Sequence, residues 1–483
     1  MTDTASQLKK LLAALKNPQT GDVEIITQAY EFAETVHKDQ KRLSGESYFS
    51  HCVAVAEQLA ALGMDGQTIA AGLLHDAHED GATPLSEIEK RFGKEVAFLV
   101  DGVTKLGKYK YRGVVRHAES LRKLFLAVSK DMRVLVIRLA DRLHNMKTLA
   151  HVRDDKQRRI ALETLEIYAP IANRLGMGRI KGDLEDYAFP YVLPKEYAWV
   201  AALRKERAKN ATKRLEKVYR DLQMILRDES VEVIAADYRI KHLYSLYRKL
   251  LRYDKDIEKI YDIAALRVIV PTDTDCYRVL GIIHSLWQPL PARIKDYIAT
   301  PKPNGYQSLH TSIFTGDGGI VEIQIRTQKM HEEAEYGVAA HFSYKEGLRH
   351  AEGHILGKKF RWIQELVKWQ KQVAGPNEFL SNLQMDFFSD RVFVFTPKGD
   401  VIDLPEESLP LDFAYAVHSG IGDRLAGVKV NNKLVSLDTK LKNGDIVEIV
   451  TKKSSAPSAK WLSYAKTAIA KKHIKAALAR NKH

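Results

Sequence analysis

The sequence predicts a multidomain protein of the α and α+β classes, and three observations carry that prediction. At 483 residues the chain is too long for one core, and about three domains is the ordinary expectation. The first 190 residues show apolar spacing of the helical kind, as in SHCVAVAEQLAAL and DMRVLVIRLADRLHNM. From Val231 the pattern changes to short alternating runs separated by turn signals.

Taken in order, residues 1–190 read as a helical domain, and 191–230 as a long, charged helical connector. Residues 231–345 read as an α+β domain, from VEVIAADYRI, IAALRVIVP and HTSIFTGDGGIVEIQIRT, with turns at PNGY and TGDGG. A helical linker follows over 346–387, broken by Gly375-Pro376. Residues 388–451 read as a small β-rich unit that opens with a hairpin around Pro397-Lys398-Gly399-Asp400. The tail, 452–483, is basic and helix-prone.

Composition narrows the class. There is no apolar run near 18 residues, so no membrane span is expected. The start, MTDTASQLKK, lacks a signal-peptide pattern. Cys52 and Cys276 are the only cysteines, which excludes a disulfide framework and a cysteine-based zinc module. A reduced, cytoplasmic protein is the expectation. The net charge of +14 fits either an ordinary solvated surface or anionic ligands such as nucleotides and RNA.

Two groups of residues carry chemistry. His51, His75, Asp76 and Asp141 make a mixed nitrogen and oxygen set that suits Mn²⁺, Fe²⁺ or Zn²⁺. A metal held this way activates water at neutral pH. Asp141, His144 and Asn145 share a helix face, with Val134, Ile137 and Ala140 facing the core beside them. Glu79 and Asp80 follow the His-Asp pair by one turn and are candidates to orient or deprotonate water. Satisfied core histidines account for the same residues without a metal.

The second group lies in the α+β region. VEIQIRT places Glu322, Gln324 and Arg326 on one strand face and Val321, Ile323 and Ile325 on the other. With Asp262, two carboxylates are available to hold Mg²⁺ against a triphosphate. Lys241, Ser245 and Arg248 fall at i, i+4 and i+7, one face of a helix; Arg267, Lys295 and Lys302 add cations. Asn304-Gly305 favours a tight turn, after which Tyr306, Ser308 and His310 would share a strand face. An ordinary solvated strand and helix explain the same pattern. No GxxxxGK[ST] occurs, which argues against a P-loop enzyme.

A resemblance sharpens both. RLSGESYFSH, LLHDAHED and RLADRLHNMKTL resemble the all-helical HD-type hydrolase domain of the RelA/SpoT family, which controls guanosine tetra- and pentaphosphate, (p)ppGpp. The resemblance implies a Mn²⁺-dependent hydrolase that removes the 3′-pyrophosphate. It implies His51, His75, Asp76 and Asp141 as ligands and Glu79-Asp80 as the catalytic acidic pair. It also implies Arg42, Ser44, Asn145 and Thr148 as pocket residues. Leu43, Ser47 and Cys52 depart from the family pattern, where a basic residue and two prolines are usual.

YDIAALRVIV, RIKDYIATPKPNGYQSLHTSIF and VEIQIRTQKMHEEAEYGVAAHFSYK resemble the α+β, nucleotidyltransferase-like synthetase domain of the same family. This implies pyrophosphate transfer from ATP to the 3′-OH of GDP or GTP. Asp262 matches a Mg²⁺ ligand, Glu322 a second ligand or base, and Tyr306 the residue stacked on guanine. Arg239, Lys241, Ser245, Arg248, Arg267, Lys295, Lys302, Asn304, His310 and Gln324 match other pocket positions. Arg293-Ile294-Lys295-Asp296 resembles the basic form found in bifunctional members.

RVFVFTPKGDVIDLPEESLPLDFAYAVHSGIGDRLAGVKVNN resembles the β-grasp TGS domain, which in longer members meets uncharged tRNA on the ribosome. His418 matches the contact position. The tail reads as a solvated helix or an RNA contact. A bifunctional enzyme of the stringent response is the leading expectation. A synthetase with a regulatory, inactive hydrolase domain and a tRNA- or ribosome-binding sensor are the alternatives. Opposed activities in one chain would waste ATP, so coupling through the region 185–235 is expected.

Overall fold

The computed structural model describes residues 3–16, 18–79, 83–104, 113–291, 293–302, 304–342, 391–442 and 444–480, with scattered positions between 363 and 383. The chain divides into two compact units, Met1–Tyr111 with Glu119–Val367, and Arg112–Ala118 with Lys368–His483. No helix among the described residues is long and apolar enough to cross a membrane.

The chain begins with helices α1 (Asp3–Ala13), α2 (Asp22–Val36), α3 (Tyr48–Ala61), α4 (Gly66–Glu79), α5 (Leu85–Val103), α6 (Gly113–Val128) and α7 (Arg133–Lys147). Then come α8 (Asp154–Glu163), a π-helical turn (Thr164–Tyr168), α9 (Ala169–Arg174) and α10 (Gly178–Val192). Helix α7 is buried along almost its whole length, including Val134, Ile137 and Ala140, as a central helix must be. Its charges are therefore paired. Arg133 bonds Asp65, Glu95 and Asp131, Arg138 bonds Asp141, and Arg142 bonds Glu163.

Helix α11 (Pro194–Asp228) is 35 residues long and is more than a connector. Its stripe Leu215, Val218, Leu222 and Leu226 is core of the α+β domain. After it come β1 (Ala235–Ile240), α12 (Leu243–Arg252), β2 (Ala264–Val270), α13 (Asp273–Leu286), β3 (Lys295–Asp296), β4 (Leu309–Phe314), β5 (Ile320–Thr327), α14 (Gln328–Tyr336) and α15 (Ala339–Phe342).

The five strands form one mixed sheet in the order β1-β2-β5-β4-β3, with β2 and β5 parallel and the other pairs antiparallel. Leu266, Val268, Ile323, Ile325 and Leu309 cover one face and pack on α11 and α13. The period of two then sends the alternate residues to the opposite face. There Lys295, His310, Gln324, Arg267 and Asp237 stand in register across all five strands. The polar side of the sheet is thus set by strand pairing.

The second unit holds the hairpin β6 (Arg391–Phe395) and β7 (Val401–Pro405), with Gly399 at φ 86° in its turn. Helices α16 (Pro410–Val417) and α17 (Ser419–Asp423) follow, then a sheet of β8 (Leu425–Val430), β9 (Lys433–Val435) and β10 (Val447–Thr451). The tail forms α18 (Trp461–Tyr464) and α19 (Ala468–Arg480). It is not a freely solvated helix. Trp461, Ala470 and Ile474 are buried against Leu411, Ala414 and Tyr415 of α16. The Asp412 carboxylate fastens it, with Oδ1 accepting from Lys466 N, Thr467 N and Thr467 Oγ1 at 2.9, 2.8 and 2.9 Å.

Candidate active sites

Four side chains from three helices meet inside the helical domain: His51 from α3, His75 and Asp76 from α4, and Asp141 from α7. All four are buried. His75 Nδ1 donates to Gly72 O at 2.7 Å, so Nε2 is the nitrogen that faces the carboxylates. It lies 3.2 Å from Asp76 Oδ2 and 3.8 Å from Asp141 Oδ1, without a hydrogen-bond partner. His51 Nε2 lies 3.5 Å from Asp76 Oδ2 and 3.4 Å from Asp141 Oδ1. A buried imidazole nitrogen without a partner beside two carboxylates fits a divalent cation, and His51, His75 and Asp141 form a possible metal-binding group.

The surroundings set the ring orientations. His51 Nδ1 lies 2.8 Å from His144 Nδ1, which also accepts from Arg42 NH1 at 3.1 Å. Burial, then the charges of His51, Arg42 and Lys147, push the His144 pKa down to about 3. His144 is therefore a neutral acceptor, and His51 carries its proton on Nδ1 and turns Nε2 inward. Tyr48 OH donates to Asp76 Oδ2 at 3.0 Å, and Arg138 NH1 to Asp141 Oδ2 at 2.8 Å.

Burial alone would raise both carboxylates, but the histidines hold Asp76 and Asp141 well below the usual range. Burial opposes charge on His75 as well. Asp76 and Asp141 overcome it and raise the His75 pKa. The centre therefore attracts positive charge, and a bound cation would displace that proton.

Arg42, Asn145 and Thr148 come together as expected. Arg42 donates to Asn145 Oδ1 at 2.5 Å and to Thr148 Oγ1 at 3.2 Å, and Asn145 Nδ2 donates to Asp141 Oδ1 at 2.5 Å. Ser44 does not join them; its hydroxyl turns to Glu46 at 3.3 Å. Glu79 is the last residue of α4, one turn beyond His75. Asp80 lies outside the described residues.

The second site lies on the polar face of the sheet. Asp262, just before β2, sits 2.5 Å from Lys241 Nζ and 2.7 Å from Lys249 Nζ. Burial would raise its pKa, yet the two ammonium groups hold it far below the usual range. Burial also raises Glu322, and His310 pulls it back down. Gln324 Nε2 donates to Glu322 Oε1 at 2.9 Å, and His310 Nδ1 faces the same oxygen at 3.4 Å. Burial lowers the His310 pKa, so the ring is neutral and its Nε2 accepts from Tyr306 OH at 2.8 Å. A continuous path, Tyr306–His310–Glu322, joins an aromatic platform to a carboxylate.

Lys302 Nζ lies 4.5 Å above the Tyr297 ring and 4.9 Å above Tyr306. Burial, with Lys295, Lys241 and Arg239 nearby, pushes its pKa down to about 8. The Asn304-Gly305 turn forms, with Gly305 at φ 83° and Asn304 Oδ1 accepting from Tyr306 N at 3.2 Å.

Two expectations at this site need correction. Lys241, Ser245 and Arg248 do not share a helix, because α12 begins at Leu243 with His242 as its N-cap. Ser245 instead turns to α10, bonding Lys181 and Glu185 at 3.1 Å each. Tyr306 and Ser308 precede β4, so of the three only His310 stands on the strand. Arg267 has each guanidinium nitrogen engaged by Asp237 or Glu335, so it braces the sheet. Arg239 stands on β1, Arg248 on α12 and Lys295 on β3. The spacing reading missed Lys249, Arg138 and Tyr48; only the acidic positions they contact were visible as a signal. In the second unit, His418 is exposed between α16 and α17, with Nδ1 accepting from Gly420 N at 3.0 Å.

Comparison with known proteins follows the same division. The chain matches the HD domain over residues 29–178, the region found in RelA / SpoT proteins over 238–349, and the TGS domain over 392–451. It is 46% identical over 478 residues to a probable guanosine-3′,5′-bis(diphosphate) 3′-pyrophosphohydrolase of Synechocystis, covering 98% of this chain and 63% of that one. It is 47% identical over 469 residues to the guanosine-3′,5′-bis(diphosphate) 3′-pyrophosphohydrolase of Aquifex aeolicus, covering 97% and 66%. It is 43% identical over 456 residues to the bifunctional (p)ppGpp synthase/hydrolase SpoT of Escherichia coli, covering 94% and 64%. The chain thus spans a little under two thirds of the length of these relatives.

Proposed function

We propose that this chain, which belongs to the RelA/SpoT family, both makes and hydrolyses (p)ppGpp, at two separate sites. The observation that supports it is that each domain gathers its own candidate set: His51, His75, Asp76 and Asp141 among helices, and Asp262 and Glu322 beside cations and polar groups of the sheet domain.

In hydrolysis, His51, His75, Asp76 and Asp141 would hold a divalent cation, Mn²⁺ in this proposal, which supplies Lewis acidity toward phosphate and water. Arg42 is positioned by Asn145 and Thr148 to meet the anionic substrate. Glu79 and Asp80 are the proposed pair that takes the proton of the attacking water. The Leu43 side chain is 76% exposed and so is free of the buried centre, which favours an active hydrolase over a purely regulatory one.

In synthesis, Asp262 and Glu322 would hold Mg²⁺, which neutralises triphosphate charge. Glu322 accepts the proton of the ribose 3′-OH as its oxygen attacks the β-phosphorus of ATP and AMP leaves. Lys241, Lys249, Lys295, Lys302 and Arg239 bind phosphate oxygens, and Tyr306 stacks on the guanine of GDP or GTP. His310 holds both Tyr306 and Glu322 in place.

Coupling of the two sites is supported by α10, which packs on α7 on one side and on α12 and α14 on the other. Exposed His418 supports a contact with uncharged tRNA on the ribosome, although the tail is committed to α16. A reduced cytoplasm is the proposed setting, in keeping with two free, buried cysteines.

The test is pyrophosphate release from guanosine tetraphosphate, with Mn²⁺ and with chelator, beside synthesis from ATP and GDP. Mn²⁺-dependent release together with synthesis supports the bifunctional reading. Synthesis without release from metal-loaded protein would leave a regulatory helical domain.

A further inference from the structure

We propose that the outer edge of β1 binds the same edge of a second copy of this chain, joining the two sheets through an antiparallel β1–β1 pair centred on Tyr238.

Strand β1 ends the sheet, and among the described residues no strand pairs with its outer edge. Its register with β2 runs without a shift from Ala235↔Ile269 to Ile240↔Ala264. Lys241 N donates to Ile263 O at 2.9 Å in that same register. The odd-numbered residues of β1 are therefore those that exchange hydrogen bonds with β2. The N–H and C=O groups of Ala236, Tyr238 and Ile240 point outward. A row of such groups is a template for another strand, and neither Pro nor Lys interrupts this one.

The side chains select the partner. Tyr238 and Ile240 stand beside Leu266 and Ala264 of β2, on the face that forms the core with α11 and α13. They are nevertheless 39% and 49% exposed, at the margin where an added strand would cover them. The opposite face carries Asp237 and Arg239. With Tyr238 set against its own counterpart, Asp237 of each copy faces Arg239 of the other, in the closer, non-hydrogen-bonded position. The strand is thus complementary to itself in charge, in apolar surface and in backbone groups, which favours a second copy over an unrelated peptide. Existing contacts survive the pairing. Asp237 binds Arg267 but keeps carboxylate lone pairs and a half-exposed side chain, and a guanidinium has N–H groups enough for both a carboxylate and a phosphate.

Sedimentation of the full chain over a concentration series tests the proposal. A reversible dimer is expected by about 100 μM. Ala236→Pro removes an outward N–H that β2 does not use, so the sheet should persist while dimer affinity falls roughly tenfold or more. Ile240→Lys should act alike by placing a charge on the edge. Circular dichroism separates lost pairing from unfolding. Cross-linking decides independently of both variants. Because Cys52 and Cys276 are buried, Tyr238→Cys adds the one exposed thiol, and a short bismaleimide should join two copies through it. Leu434→Cys, exposed on β9, should not be joined. A monomer at every concentration, a dimer unchanged in both folded variants, or equal cross-linking at positions 238 and 434 would overturn the proposal.

Discussion

Val338 donates its backbone N–H to the carbonyl of Leu175 at 2.9 Å, joining the end of helix α14 of the α+β domain to the turn between α9 and α10. Gly337, at φ 59°, makes the approach possible, since a Cβ there would collide with the Leu175 oxygen. On the other side of the turn, a Cβ at Gly176 would stand 2.9 Å from Asn304 O, and Asn304 Nδ2 donates to Asn173 O at 3.1 Å. The loop that carries Lys302 and Tyr306 is thus seated directly on the helical domain.

Gly337→Ala should destabilise the first unit by roughly 1–3 kcal/mol, from left-handed strain plus the clash. Thermal melting measures the loss. The same variant should weaken any effect of synthetase nucleotides on (p)ppGpp hydrolysis; an unchanged effect in folded variant would move the coupling elsewhere.

His75→Ala should abolish hydrolysis, and excess Mn²⁺ should not restore it. His144→Leu removes the acceptor that orients His51 and that also meets Arg42. It should lower metal affinity by roughly 10–100-fold, with activity restored by added Mn²⁺. Metal titration of both variants separates a ligand from its support.

Asp262→Ala and Glu322→Ala should each abolish synthesis and spare hydrolysis, since their neighbours belong to the sheet site. Lys249→Ala should raise the KM for nucleotide, because Lys249 pairs with Asp262. Synthesis that survives both carboxylate changes would place the chemistry elsewhere.

Lys302 sets a pH dependence. Its folded pKa is about 8, against an ordinary value of 10.5. Between those values the unfolded chain holds more protons, so this group's contribution makes stability rise with pH in that window. Nucleotide binding runs the opposite way, since the phosphates need the charged form. The KM for nucleotide should climb as pH rises through about 8, and Lys302→Arg should flatten the climb. A pH series of KM for both proteins checks this.

Asp412→Ala should release the tail from α16, because Oδ1 accepts three bonds and Oδ2 a fourth from Leu409 N at 3.0 Å. The expected cost is about 2 kcal/mol or more. Faster amide exchange over Trp461–Arg480 would show it.

Periodicity along the chain was enough for features that depend on near neighbours. Helical period put Val134, Ile137 and Ala140 in the core and Asp141 beside Asn145 on one face of α7. Strand period separated Glu322, Gln324 and Arg326 from the apolar Val321, Ile323 and Ile325. Resemblance then named the metal and nucleotide chemistry that spacing alone left open. Contacts between distant segments left no trace in that periodicity. Spacing cannot show that His144 orients His51, that Lys249 reaches Asp262, or that Arg267 is already held by Asp237 and Glu335. The i, i+4 reading of Lys241 and Ser245 failed because it holds only within one helix, and α12 begins after Lys241. Periodicity tells which way a side chain faces along its own element; what it meets there is decided by the packing of the others.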